Sequence, residues 1–227
     1  MRALTLVLAD IRFQYKYGFY FLYLLFSVLY VGILFALPAA WREDAALIMI
    51  YTDPAAMGLF FMGAIVLFEK SERVLDSIAV SPVKPWEYVT GKLVSIGLIS
   101  TLVALAIGIP AGVVVYPLRF VTGIFLCSCM FSALALIVAC KTTTLNQFIL
   151  ATVPAEILAV APAVVWMFRQ AWRPAVLHPG VAALMFCMPE GGGSPAFLVL
   201  PAWTALFVWL AIRASKKMLL SLGGVKL

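Results

Sequence analysis

Glu156 sits in "VPAEILAVAP", inside an apolar run of membrane length and between Pro154 and Pro162. An acid at that depth costs at least about 2.5–3.5 kcal/mol, so it must face protein or a wet cavity. A carboxyl there suits a cationic or zwitterionic substrate, or a proton-sensitive gate. The structural alternative is a protonated Glu156 bonded to a backbone carbonyl that a proline has freed, or to a neighbouring hydroxyl. No second acid lies inside an apolar run, so a carboxylate relay is not expected. The other chemistry-bearing stretch is "FEKSERVLDSIAVSPVKPWEYVTGKL", residues 68–93. Eight of its 26 residues are charged: Glu69, Lys70, Glu72, Arg73, Asp76, Lys84, Glu87 and Lys92.

Enzymatic constellations are missing from the sequence. His178 is the only histidine, which rules out a His pair for metal, and it reads as a surface residue. Cys127, Cys129, Cys140 and Cys187 show no disulfide or zinc spacing and read as small buried hydrophobes. Glycine-rich "PEGGGSP" at 189–195 has the wrong spacing for a nucleotide loop. The one Gly-Lys, Gly91-Lys92, lacks the upstream glycine and is followed by Leu93. No ATP site is therefore expected in this sequence. An intramembrane protease or group transferase would need clustered His, Asp or Glu, which the spans lack.

The elements that position these residues are set by composition. Of 227 residues, 65% are hydrophobic and 11% charged, with a mean hydropathy of +1.09. Soluble domains carry about 25% charged residues, so an integral membrane protein is expected. The net charge of +6 reads as Lys and Arg retained on the cytoplasmic side rather than as a nucleic-acid surface. Crossing a bilayer takes about 20 apolar residues. Runs at 19–37, 93–115, 120–139 and 148–168 qualify, and 54–68 and 197–212 are shorter candidates. The 54–68 run opens on Asp53-Pro54, a cap followed by proline at the first helical position.

Six spans with both termini inside put 12 of the 16 Lys and Arg in the cytoplasm, leaving Arg42, Arg119, Arg169 and Arg173 outside. A seventh span through 174–189 would export the basic tail, against the positive-inside rule. With about 14 apolar residues and Pro179, that segment reads as re-entrant or interfacial. Residues 1–18 place Leu4, Val7, Leu8, Ile11 and Tyr15 at helical spacing and Arg2, Asp10, Arg12 and Lys16 elsewhere, as in a helix lying in the inner interface. The apolar run after it is too long for a signal-peptide core. Fold class is thus all-α, with one transmembrane domain over 1–227.

Within the 69–92 loop, Leu75, Ile78 and Ala79 share a helical face with Leu67 and Phe68, while Glu72, Arg73 and Asp76 lie elsewhere. Ser81-Pro82 stops that helix. Lys84-Pro85 starts a second, with Glu87 in its first turn. Two short helices meeting at a rigid kink are expected, with an apolar face to bury against a partner protein. Lys141 and "TTTLNQ" form a second cytoplasmic loop, read as a capped turn from Thr144 or Asn146.

At these residues the chain resembles the type-2 ATP-binding-cassette permeases. Glu72, Arg73, Leu75, Ile78, Ser81, Pro82, Glu87, Tyr88, Gly91 and Lys92 match their cytoplasmic loop pattern, and Val74 departs from it. "DIRFQYKYGFYFLY" and "DPAAMGLFFMGAIVLFEK" are most similar to the subgroup of fluoroquinolone-export permeases. The resemblance implies a coupling helix at 69–92 that docks on a separate ATPase subunit carrying ATP and Mg. It also implies a second, identical or related permease, a bacterial inner-membrane location and export of an amphipathic or hydrophobic substrate such as a drug, lipid or peptide. The alternative is an ion-coupled secondary transporter using Glu156, which would ordinarily show ionisable groups in several spans or a clear inverted repeat.

Overall fold

A backbone in hydrocarbon must satisfy its polar groups within its own segment, which leaves helices as the solution for long apolar runs. The computed structural model follows this rule. It describes residues 2–52, 56–169, 173–188 and 195–222, and among these there is no strand. The helices are α1 (Arg2–Lys16), α2 (Phe19–Ala36), α3 (Ala39–Ile50), α4 (Ala56–Ser71), α5 (Val74–Val80), α6 (Pro85–Ala111), α7 (Pro117–Lys141), α8 (Leu145–Arg169), α9 (Pro179–Cys187) and α10 (Ala196–Leu222). A 3-10 turn, Arg173–Leu177, precedes α9. Among the described residues, five helices are long and apolar enough to cross a membrane: α2, α6, α7, α8 up to Phe168, and α10. The 16-residue α4 falls below that length but packs centrally, against α7 above all.

Three elements differ from the sequence expectation. Residues 39–50, read as an outer connection, form α3, because Ala46, Leu47 and Ile50 recur on one face and bury it. The second of the two short helices expected in the 69–92 loop (the elbow) and the span expected at 93–115 are one helix, α6, since nothing between Pro85 and Pro110 breaks it. Gly91 lies inside that helix and lets α1 approach: a Cβ there would stand 3.1 Å from Leu6 Cβ. Finally, α10 runs on beyond Ile212 to Leu222. The Asp53-Pro54 cap and most of the glycine-rich 189–195 loop lie outside the described residues.

α7 is the hub, contacting α4, α6, α9 and α10. The short α9 is apolar and buried along most of its length. Its ends are fixed by polar side chains from the chain itself. His178 Nδ1 accepts from the Gly180 N–H at 3.2 Å. At the other end Arg119 donates to the carbonyls of Phe186 (2.9 Å) and Met185 (2.8 Å), and to that of Met188.

Candidate functional site

Where α4 meets the elbow, three buried ionisable side chains from three helices converge. Lys92 Nζ of α6 donates to Glu69 Oε1 of α4 at 2.7 Å and to Asp10 Oδ1 of α1 at 2.9 Å. The Tyr88 hydroxyl, one turn before Lys92, donates to Glu69 Oε2 at 2.9 Å. Ser95, on the next turn, donates to Asp10 Oδ2, and Gln14 Nε2 reaches both Asp10 Oδ2 (3.3 Å) and Ser95 Oγ (3.1 Å). The spacing explains the meeting: residues 88, 92 and 95 form one stripe on α6, and residues 10 and 14 one stripe on α1. Asp10, Glu69 and Lys92 are 7%, 6% and 3% exposed. Charges at such depth persist only when paired and bonded, and here all four carboxylate oxygens accept a hydrogen bond. A cavity of about 310 Å³ opens against this node, bounded also by Phe13, Val74 and Ile78.

The node was not legible as a site because its members read separately. Asp10 belongs to the polar set of an amphipathic helix, and Lys92 to a loop. The protein mixes the two sets: Val7, Asp10 and Gln14 face inward, while Leu4, Leu8 and Tyr15 are exposed together with Arg12 and Lys16. Exposed apolar side chains beside exposed Arg12 and Lys16 suit a helix lying at the membrane surface. The available signal was the i, i+4 pairing of Asp10 with Gln14 and of Tyr88 with Lys92.

Next to Glu69, Lys70 Nζ turns to a different neighbour of α4. It donates to the carbonyls of Ala139 (2.6 Å), Cys140 (3.3 Å) and Thr142 (2.8 Å), which terminate α7. Those orphan carbonyls and the negative helix end want a cation.

The expected elbow residues fall into two sets. Leu75 is 1% exposed and packs into the chain's own core, with Ile78 half-buried beside it; the apolar face is covered by α4 and α10 rather than left open. Glu72, Arg73, Asp76, Val80, Pro82 and Trp86 point outward. Glu87 is buried, and its carboxylate accepts the Lys84 N–H at 2.8 Å, holding the first turn of α6. Ser81 closes α5: its hydroxyl donates to the Ile78 carbonyl at 2.7 Å and accepts from the Val83 N–H at 3.3 Å. Arg73 adopts a left-handed backbone, φ 57°, between α4 and α5. The two helices therefore meet at a sharp corner.

Glu156 is half-buried, midway along α8, and has no hydrogen-bond partner among the described residues. The carbonyl freed by Pro162, that of Leu158, is taken by His178 Nε2 at 3.1 Å. His178 is thus a bracket between α8 and α9 rather than a surface residue. It also borders an apolar cavity of about 560 Å³ between α7, α8 and α10, whose walls include Phe131, Leu158, Trp203 and Phe207. No group of three His, Cys, Asp or Glu placed to hold a metal occurs among the described residues.

The five long apolar helices, four of them packed together through α7, define a multi-pass membrane protein. The chain belongs to the fluoroquinolones export permease protein family, whose model matches residues 1–189. It is 29% identical over 153 residues to a fluoroquinolones export permease protein of Mycobacterium tuberculosis strain CDC 1551 / Oshkosh, and the match covers 67% of this chain and 64% of that one. The same figures hold for the fluoroquinolones export permease protein of strain ATCC 25618 / H37Rv. The chain thus spans slightly less than two thirds of the length of these relatives.

Proposed function

We propose that this chain is the membrane subunit of an ATP-driven exporter, coupled through residues 69–92 to a separate ATPase that binds ATP and Mg. The observation that carries the reading is the tie between the elbow and the rest of the chain. α5 follows α4 directly, and Glu69 and Lys70 at the end of α4 fasten it to α1, α6 and α7. A push on α5 is thereby delivered to several long helices at once. The outward residues Glu72, Arg73, Asp76, Val80, Pro82 and Trp86 form the docking face, and buried Leu75 anchors that face to the chain.

Six crossings, counting α4, with both termini cytoplasmic and the 174–189 segment dipping from the outer side, complete the arrangement in a bacterial inner membrane. A second copy or a related permease completes the path. The apolar cavity beside His178, with three aromatic walls, favours an amphipathic or hydrophobic cargo; the relatives' names point to fluoroquinolones. Ion coupling through Glu156 draws less support, because that carboxyl has no second ionisable group bonded to it.

The experiment is co-purification with a co-expressed ATP-binding-cassette ATPase subunit, comparing Val80→Asp with the unchanged protein. Val80 is 81% exposed, so the variant folds and inserts normally while ATPase recovery falls. Equal recovery from both proteins would remove the docking assignment. Export from vesicles that continues without ATP would restore the ion-coupled reading.

A further inference from the structure

We infer that the cavity between α1, α5 and α6 is a binding site for the protonated primary amine of an amphiphile. Its charged wall is unbalanced: Asp10 and Glu69 carry two formal negative charges and Lys92 one positive. The chain's own donors also use only part of the hydrogen-bonding capacity of that wall. A carboxylate offers about four acceptor sites. Asp10 uses three of them, for Lys92, Ser95 and Gln14, and Glu69 uses two, for Lys92 and Tyr88. An ammonium group supplies one positive charge and three N–H donors, which matches both deficits. Both carboxylates and Lys92 line the cavity, and its volume of about 310 Å³ admits more than an inorganic ion.

The rest of the lining selects the body attached to that amine. Leu6, Phe13, Val74 and Ile78 are apolar, so the occupant presents hydrocarbon beside its charge. The source is the membrane surface, because α1 exposes Leu4, Leu8 and Tyr15 on its outer side. Helices of that kind lie where amphiphiles collect. A headgroup amine of a lipid and a free amphiphilic amine share this chemistry. The inference rests on the node and its cavity and not on the transport reading, and it is read without an ATPase present.

The test is native mass spectrometry of the purified full chain in a neutral detergent. Phosphatidylethanolamine and phosphatidylcholine serve as the lipid pair, and decylammonium and decyltrimethylammonium as the free pair. A primary amine donates hydrogen bonds and a trimethylammonium does not, so charge alone is separated from recognition by the carboxylates. The expected result is one adduct of a primary amine per chain, retained over its trimethylated counterpart. Retention of phosphatidylethanolamine that decylammonium fails to displace assigns the site to a lipid headgroup; decylammonium retained alone assigns it to a free amine. Glu69→Gln removes the surplus charge, and Val74→Trp fills the cavity while leaving every charge in place. Each weakens the primary-amine adduct by about tenfold or more. Equal retention of primary and trimethylated amines, or adducts unchanged in Val74→Trp, overturns the inference.

Discussion

Glu69 and Lys70 are neighbours in the chain and hold two different helices at the same end of α4. Glu69 accepts from Lys92 at 2.7 Å and Lys70 donates to the Ala139 carbonyl at 2.6 Å. Successive residues of a helix point about 100° apart, so one pair engages two neighbours of α4 without bending it. Lys92 is the more sensitive member of this junction, because it serves two buried carboxylates. Lys92→Met leaves both without their cation, and breaking a buried pair on one side costs about 3–5 kcal/mol. Thermal unfolding of the purified variant is expected to show a large loss. The triple replacement Asp10→Asn, Glu69→Gln, Lys92→Met recovers part of it, since no uncompensated charge then remains. An unchanged midpoint in Lys92→Met would mean that the node contributes nothing.

Arg73 forms the corner from which α5 leaves α4, with φ at 57°. Glycine enters that region at no steric cost, whereas a β-branched residue is a true outlier there. Arg73→Gly is expected to leave stability level or raise it by up to about 1 kcal/mol. Arg73→Val is expected to lower it by more than that gain and to expose α5 to limited proteolysis near residue 73. Equal cleavage of the two variants would show that the corner does not depend on this backbone angle.

Long runs with one period were readable from the sequence, because hydrophobicity alone fixes α2, α7 and α8. The family was readable for a different reason: the pattern from Glu72 to Lys92 combines breakers, charges and apolar positions, and the stretches at 10–23 and 53–70 resemble the fluoroquinolone-export subgroup. What the sequence hid was which face of an amphipathic element turns inward. Apolar Leu4 and Leu8 point outward while polar Asp10 and Gln14 are buried, because Lys92 and Ser95 of α6 supply polar partners on the inner side of α1. The same ambiguity made Leu75 look available to a partner when α4 and α10 already cover it. Periodicity locates a stripe; only the neighbouring helices decide what it touches.

Glu156 illustrates the limit of one-dimensional reading in the other direction. A freed carbonyl near it was foreseeable from Pro162, yet the donor that takes the Leu158 carbonyl comes from residue 178. With no bond to lose among the described residues, Glu156→Gln is expected to change the unfolding midpoint by no more than about 0.5 kcal/mol equivalent. Any fall in export by this variant then reports on cargo or gating rather than on folding. A clear loss of stability would instead reveal a structural contact for the carboxyl.

His178 gives the pH dependence its sign. Its neutral ring bridges two elements, accepting from the Gly180 N–H at Nδ1 and donating to the Leu158 carbonyl at Nε2. Burial lowers its pKa from the ordinary value of 6.5, and the bond to the Leu158 carbonyl offsets only part of that. No charged side chain contributes to that shift. A depressed pKa means that the unfolded state binds the proton first, so the ring's contribution is complete above about 6.5 and is lost as pH falls below it. Protonation also places an N–H on Nδ1, facing the Gly180 donor. Amide exchange in Gly180–Cys187 is therefore expected to accelerate on acidification relative to exchange in α7, after correction for intrinsic rates. His178→Asn keeps an acceptor at the start of α9 but cannot titrate, so its protection of α9 should be flat across the same range. A wild-type profile as flat as that of His178→Asn would exclude the imidazole as the pH-sensitive bracket.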